Sequence, residues 1–447
     1  MKRLAVACTV GAIFAGAVAA TGTTGPSESA TASASCTAEE KAAREEALRQ
    51  YRQNMAAARK AYFKRVRDPK RRAAFVKRQR ARLQALQSAA GCTVPPLPPS
   101  SGESCSFMFP ANTGSFRFSE GPLSSDWLAP RGRVDAVMLF VDFPDAPAND
   151  NTISQLAARH TAHLAWFEEA SYGRFSVSVT AVARWFRLPR PTSTYTPLPQ
   201  SVHHPDVFAD AVAAADGAVD FSRYQAVFVI GARGWNQGVG GPFLAAPGSG
   251  ARADGNELRY GVVLGPSVLD AGGTYASNVL NHEFLHAVGL PDIHGGDGSS
   301  TGWDPMNREI PTTHPFGWHK RLLGWLDPGQ VTCLSEAGQL EETLQQLDTR
   351  GGKKLVVIPT SATTAYVVEV RRRSGYDRTI CKEGVLVYTV DSLRPSAQGP
   401  ITVKSAGTGC SPGAEPFGVG GVFADSAVTI EVLASDGDGF RIRATRK

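Results

Sequence analysis

The sequence contains no Cys-X-X-Cys pair and, after its first twenty residues, no apolar run that approaches the length of a membrane span. The first absence argues against a structural zinc cluster of cysteines, since such clusters use closely spaced pairs. The second predicts no integral membrane association for the mature chain, because a spanning helix needs about 20 apolar residues. The sequence does contain nine histidines, seven cysteines and an uneven distribution of charge.

The N-terminal residues have the pattern of a secretory signal peptide. A Met-Lys-Arg start is followed by an apolar run over residues 4–20 that is rich in Ala and Gly. Residues 17–19 and 32–34 are candidate cleavage sites, and a retained anchor helix is the alternative. We therefore assign residues 1–34 to a signal peptide and leader, and we expect a secreted, extracellular protein.

Six cysteines remain once Cys8 leaves with the signal peptide. An even number in an exported chain favours disulfide bonds. Two of them bracket one helical segment and two are close in sequence, which leaves one long-range pair. The predicted pairs are Cys36 with Cys92, Cys381 with Cys410, and Cys105 with Cys333.

Residues 35–104 form a separate basic region. Residues 36–92 hold 16 Lys and Arg against 5 Asp and Glu, in a composition that favours helix. Asp68-Pro69 predicts a break between two helices, and the Pro-rich residues 94–102 predict a stiff linker. Three interpretations of this hairpin stay open: a propeptide that covers the cleft in a zymogen, an arm that contacts an anionic polymer, and a solvated helix pair without a partner.

Residues 105–330 mix predicted strands with predicted helices. Apolar runs predict buried strands at 134–141, 224–231 and 259–265, and alternation predicts another at 175–179. Helical spacing of apolar residues predicts one helix over 153–169 and another over 205–215. After residue 331, short apolar runs at 355–358, 366–370 and 384–390 alternate with Gly and Pro turns. The sequence therefore predicts an α+β fold, with a mixed catalytic domain over 105–330 and a β-sandwich-like module over 331–447.

Residues 282–292 read HEFLHAVGLPD and carry the most specific chemical pattern in the chain. His282 and His286 lie four residues apart, so on a helix both imidazoles reach one metal ion from the same face. Glu283 follows the first histidine, where a carboxylate can remove a proton from an attacking water. Gly289 permits the chain to turn back after the helix. The pattern predicts a hydrolytic site with one catalytic Zn²⁺.

The third ligand must come from outside the helix, because no other helical position completes the triangle of ligands. Asp292 lies six residues beyond His286, and His294 and Asp297 are nearby competitors. Imidazole is the commoner ligand type, so His294 stays open as an alternative ligand or a neighbour of the ligand shell. The predicted activity is cleavage of internal peptide bonds, in which Glu283 acts as general base and then protonates the leaving amine.

Several segments of the chain resemble the immune-inhibitor-A family of secreted bacterial zinc metalloproteases, which are metzincin-like. The resemblance lies in residues 282–292, in the WDPM segment at 303–306, which is similar to a methionine turn, and in residues 314–326, which end in Leu-Gly-Trp-Leu. Weaker similarity covers 139–145, 167–173, 367–371 and 384–391. The helix and the methionine turn at Met306 are its specific parts.

The resemblance implies a metzincin-like endopeptidase acting on extracellular proteins or peptides, one zinc ion, and Asp292 as third ligand. It also favours the propeptide interpretation of the basic hairpin. Arg308 stands where a tyrosine is frequent, so Arg308 and His314 become candidates for assistance to the oxyanion. The acidic stretch of some relatives is missing near Asp220, which argues against Ca²⁺.

A second function competes with the protease hypothesis. The chain could be a non-enzymatic extracellular binding protein, with a structural zinc site and the basic hairpin as an anion-binding arm. We expect no specific nucleic-acid partner under either hypothesis. Glu283 favours the enzyme, since a structural site does not need a base.

Overall fold

The computed structural model describes part of the chain. The described residues are 127–148, 153–196, 204–235, 240–266, 274–307 and 313–447 without 362, 393, 395 and 412, together with 69, 72, 76, 105 and 268. The predicted signal peptide, the basic hairpin apart from three positions, the Pro-rich linker and the Cys36–Cys92 pair lie outside them. No helix in the described ranges is long and apolar enough to cross a membrane.

A five-stranded sheet forms the centre of the N-terminal half, with the order β2-β1-β3-β7-β4. Neighbours run parallel from β2 to β7, and the edge strand β4 is antiparallel to β7. A separate hairpin pairs β5 with β6. The strands are β1 Gly132–Asp142, β2 Phe175–Arg187, β3 Ala226–Gly231, β4 Gly240–Leu244, β5 Ala251–Ala253, β6 Asn256–Leu258 and β7 Tyr260–Leu264.

Helices cover both faces of this sheet, which explains why β1 is apolar at consecutive positions. Met138 and Phe140 face a core that contains Phe284, whereas Val137 and Leu139 face a second core on the opposite side. The helices of the described chain are α1 Ile153–Thr161, α2 Ala165–Ala170, α3 Thr192–Tyr195, α4 His204–Ala215, α5 Tyr275–Ala287 and α6 Gly317–Leu322. Of these, α5 packs against β4 and β7.

Two further sheets form the C-terminal half, with the orders β13-β12-β11-β10-β8 and β14-β15-β16-β9. They pack face to face over a shared apolar core that contains Val368 and Ile442. The strands are β8 Val331–Cys333, β9 Gly338–Gln345, β10 Leu355–Pro359, β11 Thr364–Arg371, β12 Gly384–Asp391, β13 Ile401–Lys404, β14 Val422–Ala424, β15 Val428–Asp436 and β16 Gly439–Arg446. The molecule is therefore α+β, as predicted.

The two halves share one hydrophobic core. Leu355, Val357 and Val367 point from the first C-terminal sheet into the same cluster as Phe284 and Met306. The alternate residues of the same strands face the second sheet, so this middle sheet is buried on both sides. This core crosses the boundary predicted at residue 330, whereas the core with Val137 and the core with Val368 each lie on one side of it.

The prediction of one continuous helix over residues 153–169 is wrong, and two predicted disulfide bonds are confirmed. The helix expected over 153–169 is broken into α1 and α2 by a turn at 162–164. The break coincides with His163, whose carbonyl accepts the Asn281 side-chain N–H at 3.0 Å and whose ring contacts Asn278 at 2.9 Å. Tertiary hydrogen bonds thus replace continuous helical geometry there. The disulfides are Cys105–Cys333 and Cys381–Cys410.

Candidate metal centre

Helix α5 carries both predicted histidine ligands and ends directly after them. The imidazole rings of His282 and His286 are buried, with centroids 5.0 Å apart. Gly289 has φ +98°. Its N–H donates to the His286 carbonyl, and the Leu290 N–H donates to the Leu285 carbonyl at 3.1 Å. This is a Schellman motif, so the glycine ends the helix and turns the chain back towards the histidines.

Backbone carbonyls fix the orientation of both rings. Nδ1 of His282 lies 2.7 Å from the Pro305 carbonyl, and Nδ1 of His286 lies 2.7 Å from the Leu290 carbonyl. A carbonyl only accepts, so each Nδ1 carries a proton, and in the neutral ring each Nε2 presents a lone pair. Hydrogen bonds of this kind are typical of metal-binding histidines.

Asp292 brings a carboxylate to these two lone pairs. Its Oδ1 atom lies 3.2 Å from Nε2 of His282 and 3.6 Å from Nε2 of His286. The structure thus places the three predicted ligands together, although Asp292 follows the end of the helix by several residues. One cation could contact all three atoms at once.

Glu283 is the second carboxylate at the site. One ligand atom each from His282, Glu283 and His286 lies within 4.8 Å of the other two. Either carboxylate is therefore near enough to share a cation with the imidazoles. Asp292 fits the ligand role better, because one oxygen lies at 3.6 Å or less from both Nε2 atoms. Glu283 follows His282 by one residue, which rotates it by about 100° on the helix and suits contact with a water beside the cation.

The charges of this site shift the pKa values of His282 and Asp292 in opposite directions. Burial alone would lower the pKa of His282, but the hydrogen bond to Asp292 and the charge of Glu283 raise it to about 9. Burial alone would raise the pKa of Asp292, but the hydrogen bonds to His282 and His286 hold that pKa well below its usual range. Without a cation the two carboxylates favour a proton on the imidazole, and a bound cation would replace that proton.

His294 also reaches the centre. Its Nε2 atom lies 3.8 Å from Oδ1 of Asp292, and its side chain is 43% exposed. The structure therefore brings Asp292 and His294, two of the three residues considered for the third ligand, to one place. Asp297 is exposed, and its carboxylate accepts the Ser299 N–H at 3.0 Å. The greater exposure of the His294 side chain favours Asp292 as the ligand and leaves His294 at the rim of the site.

The segment around Met306 contacts the backbone next to Asp292. Met306 is fully buried, and its carbonyl accepts the N–H of Ile293 at 2.9 Å. Asp304 accepts the Met306 N–H at 2.7 Å, and its second oxygen accepts the His319 ring N–H at 2.7 Å. Nothing in the sequence marks Asp304 for this role, because a single Asp before Pro-Met carries no local signal of its partners.

The two candidates for oxyanion assistance have different outcomes. Arg308 lies outside the described residues. His314 is fully buried, with Nε2 at 3.1 Å from the Glu169 carboxylate and Nδ1 at 3.1 Å from Nζ of Lys320. Burial and then the charge of Lys320 lower the pKa of His314 to about 3. Both ring nitrogens already have partners in this buried cluster, so His314 offers no free donor there.

No protein-family model and no curated protein matches this sequence. The geometry of the centre therefore carries the functional argument by itself. The functional groups of the centre are two imidazoles with protonated Nδ1 atoms, two carboxylates beside their Nε2 atoms, and one further histidine at the rim.

Proposed function

We propose that this protein is a secreted zinc-dependent metalloendopeptidase, related to the immune-inhibitor-A family and built on a metzincin-like domain. The observation that carries the proposal is the convergence of two Nε2 lone pairs and one Asp292 oxygen, with Glu283 adjacent. Tetrahedral zinc with ligands at about 2.0–2.1 Å separates its ligand atoms by roughly 3.3–3.4 Å. The distances of 3.2 and 3.6 Å from Asp292 to the histidines lie on either side of this value.

The residues present fit zinc in type as well as in spacing. Two histidines and one carboxylate form a common ligand set for catalytic zinc, which keeps one position for water or substrate. A zinc ion bound there supplies a Lewis acid for the substrate carbonyl and lowers the pKa of water to about 7.

Glu283 performs the proton transfers in this mechanism. Its carboxylate takes a proton from the attacking water and delivers it to the nitrogen of the leaving amine. The peptide C–N bond breaks as the carbonyl carbon gains the water oxygen, so the products are a carboxylate and an amine. Pro305 and Leu290 hold the two imidazoles still through their carbonyls while charge develops at the substrate.

The sheet edge beside α5 supports a peptide substrate. The edge strand β4 pairs with β7 on one side, and no described strand covers its other side. Unpaired N–H and C=O groups on such an edge can bind an extended chain by adding it as a further strand. Helix α5 packs against β4, so a peptide bound along β4 would lie near the ligand-bearing helix.

A structural zinc site is the second candidate, and the position of His294 favours it. With Nε2 at 3.8 Å from Asp292 Oδ1, His294 could move in as a fourth protein ligand and exclude water. The chain would then be the non-enzymatic extracellular binding protein with a basic arm. Such a protein would hold zinc and cleave nothing, whereas the protease would lose activity when Glu283 is changed.

The experiment that tests the proposal is Glu283→Gln in the secreted protein. The variant should keep its zinc, because Asp292 and both histidines are unchanged, and should lose about 10²–10⁴-fold in casein cleavage, because the base is gone. Zinc content and proteolysis are measured together, with the exposed Glu336→Gln as control. Full cleavage by the Glu283 variant excludes the proposed base, and wild-type protein without zinc or peptidase activity removes the proposal.

A further inference from the structure

The turn that carries Asp292 is held by one loop of the C-terminal half. The Asp292 N–H donates to Oγ of Ser396 at 3.0 Å, and the Asp292 carbonyl accepts the Ala397 N–H at 2.9 Å. Two residues further on, the His294 carbonyl accepts the Gly399 N–H at 2.8 Å. The loop between β12 and β13 therefore bonds to both backbone polar groups of Asp292.

The two segments also approach each other too closely for side chains. A Cβ on Gly295 would lie 2.1 Å from the Ala397 carbonyl oxygen, and a Cβ on Gly399 would lie 2.5 Å from the Cα of Gly296. Ala397 has φ +60°, a left-handed conformation that alanine seldom adopts. Surrounding contacts must hold such a residue in place, which is common beside functional sites.

Further hydrogen bonds between the same two regions of the chain extend to the methionine turn. The Val403 N–H donates to Oγ of Ser299 at 2.9 Å, and the Ala414 N–H donates to the Ser299 carbonyl at 2.9 Å. Ala414 in turn accepts the Trp303 indole N–H at 3.0 Å. The segment from Asp292 to Trp303 is thus hydrogen-bonded at several positions to residues 396–414.

We propose that Ser396 is a positioning residue for the metal centre, and that the β12–β13 loop sets where the Asp292 carboxylate lies. Ser396 does not touch the ligand oxygens. It acts through the Asp292 backbone, whose N–H and carbonyl are held by adjacent residues of one loop, which restricts rotation about the two backbone bonds at the Asp292 Cα. Groups that orient metal ligands from outside typically change metal affinity by 10–100-fold when removed.

This inference rests on the proposed function, and its test uses metal affinity besides activity. In the full secreted chain, Ser396→Ala should weaken zinc binding about tenfold in competition with a chelator. The zinc-dependent rise in melting temperature should shrink, while the melting temperature of the metal-free protein stays near wild type. Ser396→Thr keeps the hydroxyl and should restore most of the affinity.

The matched control is Ser405→Ala, whose hydroxyl also accepts a backbone N–H, that of Glu415 at 2.9 Å, away from Asp292. This control should bind zinc like wild type. Equal loss in both variants, or wild-type affinity in Ser396→Ala, overturns the positioning role. Failure of the wild-type chain to bind zinc at all overturns the proposed function instead, so the two failures are distinguishable.

Discussion

Each buried imidazole in the described part of the chain is fixed through its Nδ1 atom, and the five differ in what Nε2 meets. In His282 and His286, Nε2 faces the Asp292 carboxylate. In His314 it faces Glu169. In His160 and His319 it has no hydrogen-bond partner. The proposed chemistry is therefore located at the two histidines whose Nε2 atoms share one carboxylate oxygen.

Substitution of Asp292 and substitution of His294 should have different effects on metal binding. Asp292→Ala removes the oxygen that lies near both Nε2 atoms, so zinc affinity should fall by at least 100-fold, more than the loss of an orienting group outside the shell. His294→Ala removes a partly exposed ring at the rim and should change affinity less than tenfold. Competition titration with a chromogenic chelator measures both. The reverse order would make His294 the ligand.

At the residue scale, the candidate metal ligands could be predicted from the sequence, but the groups that hydrogen-bond to them could not. The spacing of His282 and His286 predicts two ligands on local grounds alone, whereas Asp292 as the third ligand was implied by the family resemblance. The carbonyl of Pro305 and the hydroxyl of Ser396 come from 23 and 104 residues away. No local pattern marks them, because a carbonyl is present at every residue and serines are common.

At the scale of elements, strands were predicted better than helix continuity. The apolar runs at 134–141 and 355–358 lie in β1 and β10, and the run at 224–231 contains β3, because buried strands read as continuous apolar sequence. The helix expected over 153–169 breaks at His163, where bonds to α5 compete with the helical pattern. The antiparallel edge strand β4 had no clear signal, since Gly and Pro occupy three of its five positions.

Strand β11 contributes a buried ion network that joins the two halves. Arg371 is fully buried and pairs with Glu369 at 2.7 Å and with Asp377 at 2.9 Å. It also donates to the carbonyls of Trp303 at 3.0 Å and His314 at 3.1 Å. A residue of the C-terminal half therefore holds the backbone next to the methionine turn.

Replacing this arginine should destabilise the fold strongly. Arg371→Met leaves two carboxylates buried without their cation, which costs about 3–5 kcal/mol. Urea unfolding of the metal-free protein measures the loss. Arg441→Met is the control, because its pair with Glu341 spans 3.9 Å at the surface and should contribute less than about 1 kcal/mol. A loss below 1 kcal/mol for Arg371→Met would contradict this account of the network.

At the scale of the whole molecule, the sequence predicted two compositional regions and the structure joins them. The sheet β13-β12-β11-β10-β8 packs one face on the core that contains Met306 and the other on the second C-terminal sheet. A continuous apolar run such as 355–358 indicates that both faces of a strand are buried, but it does not identify the partner of each face. The partner of each face is determined by contacts between residues that are far apart in the sequence.

The disulfide Cys105–Cys333 ties the chain across this junction. It joins cysteines separated by 228 residues, whereas Cys381–Cys410 spans 29. In the chain-entropy account a longer closed loop stabilises more, about 5 against about 4 kcal/mol. Replacing Cys105 and Cys333 by Ser should therefore lower the melting temperature more than replacing Cys381 and Cys410. Calorimetry of the two double variants measures the difference, and the opposite order would contradict the prediction.

The attachment of residues 292–303 to residues 396–414 has a consequence for the order of synthesis. A nascent chain that has exposed the histidine helix lacks the loop that fixes Asp292 until at least another hundred residues have emerged. A polypeptide interrupted before that point would hold its metal loosely. The proposed metal centre would thus form only after residues 396–399 have left the ribosome, and shorter products would bind the metal weakly.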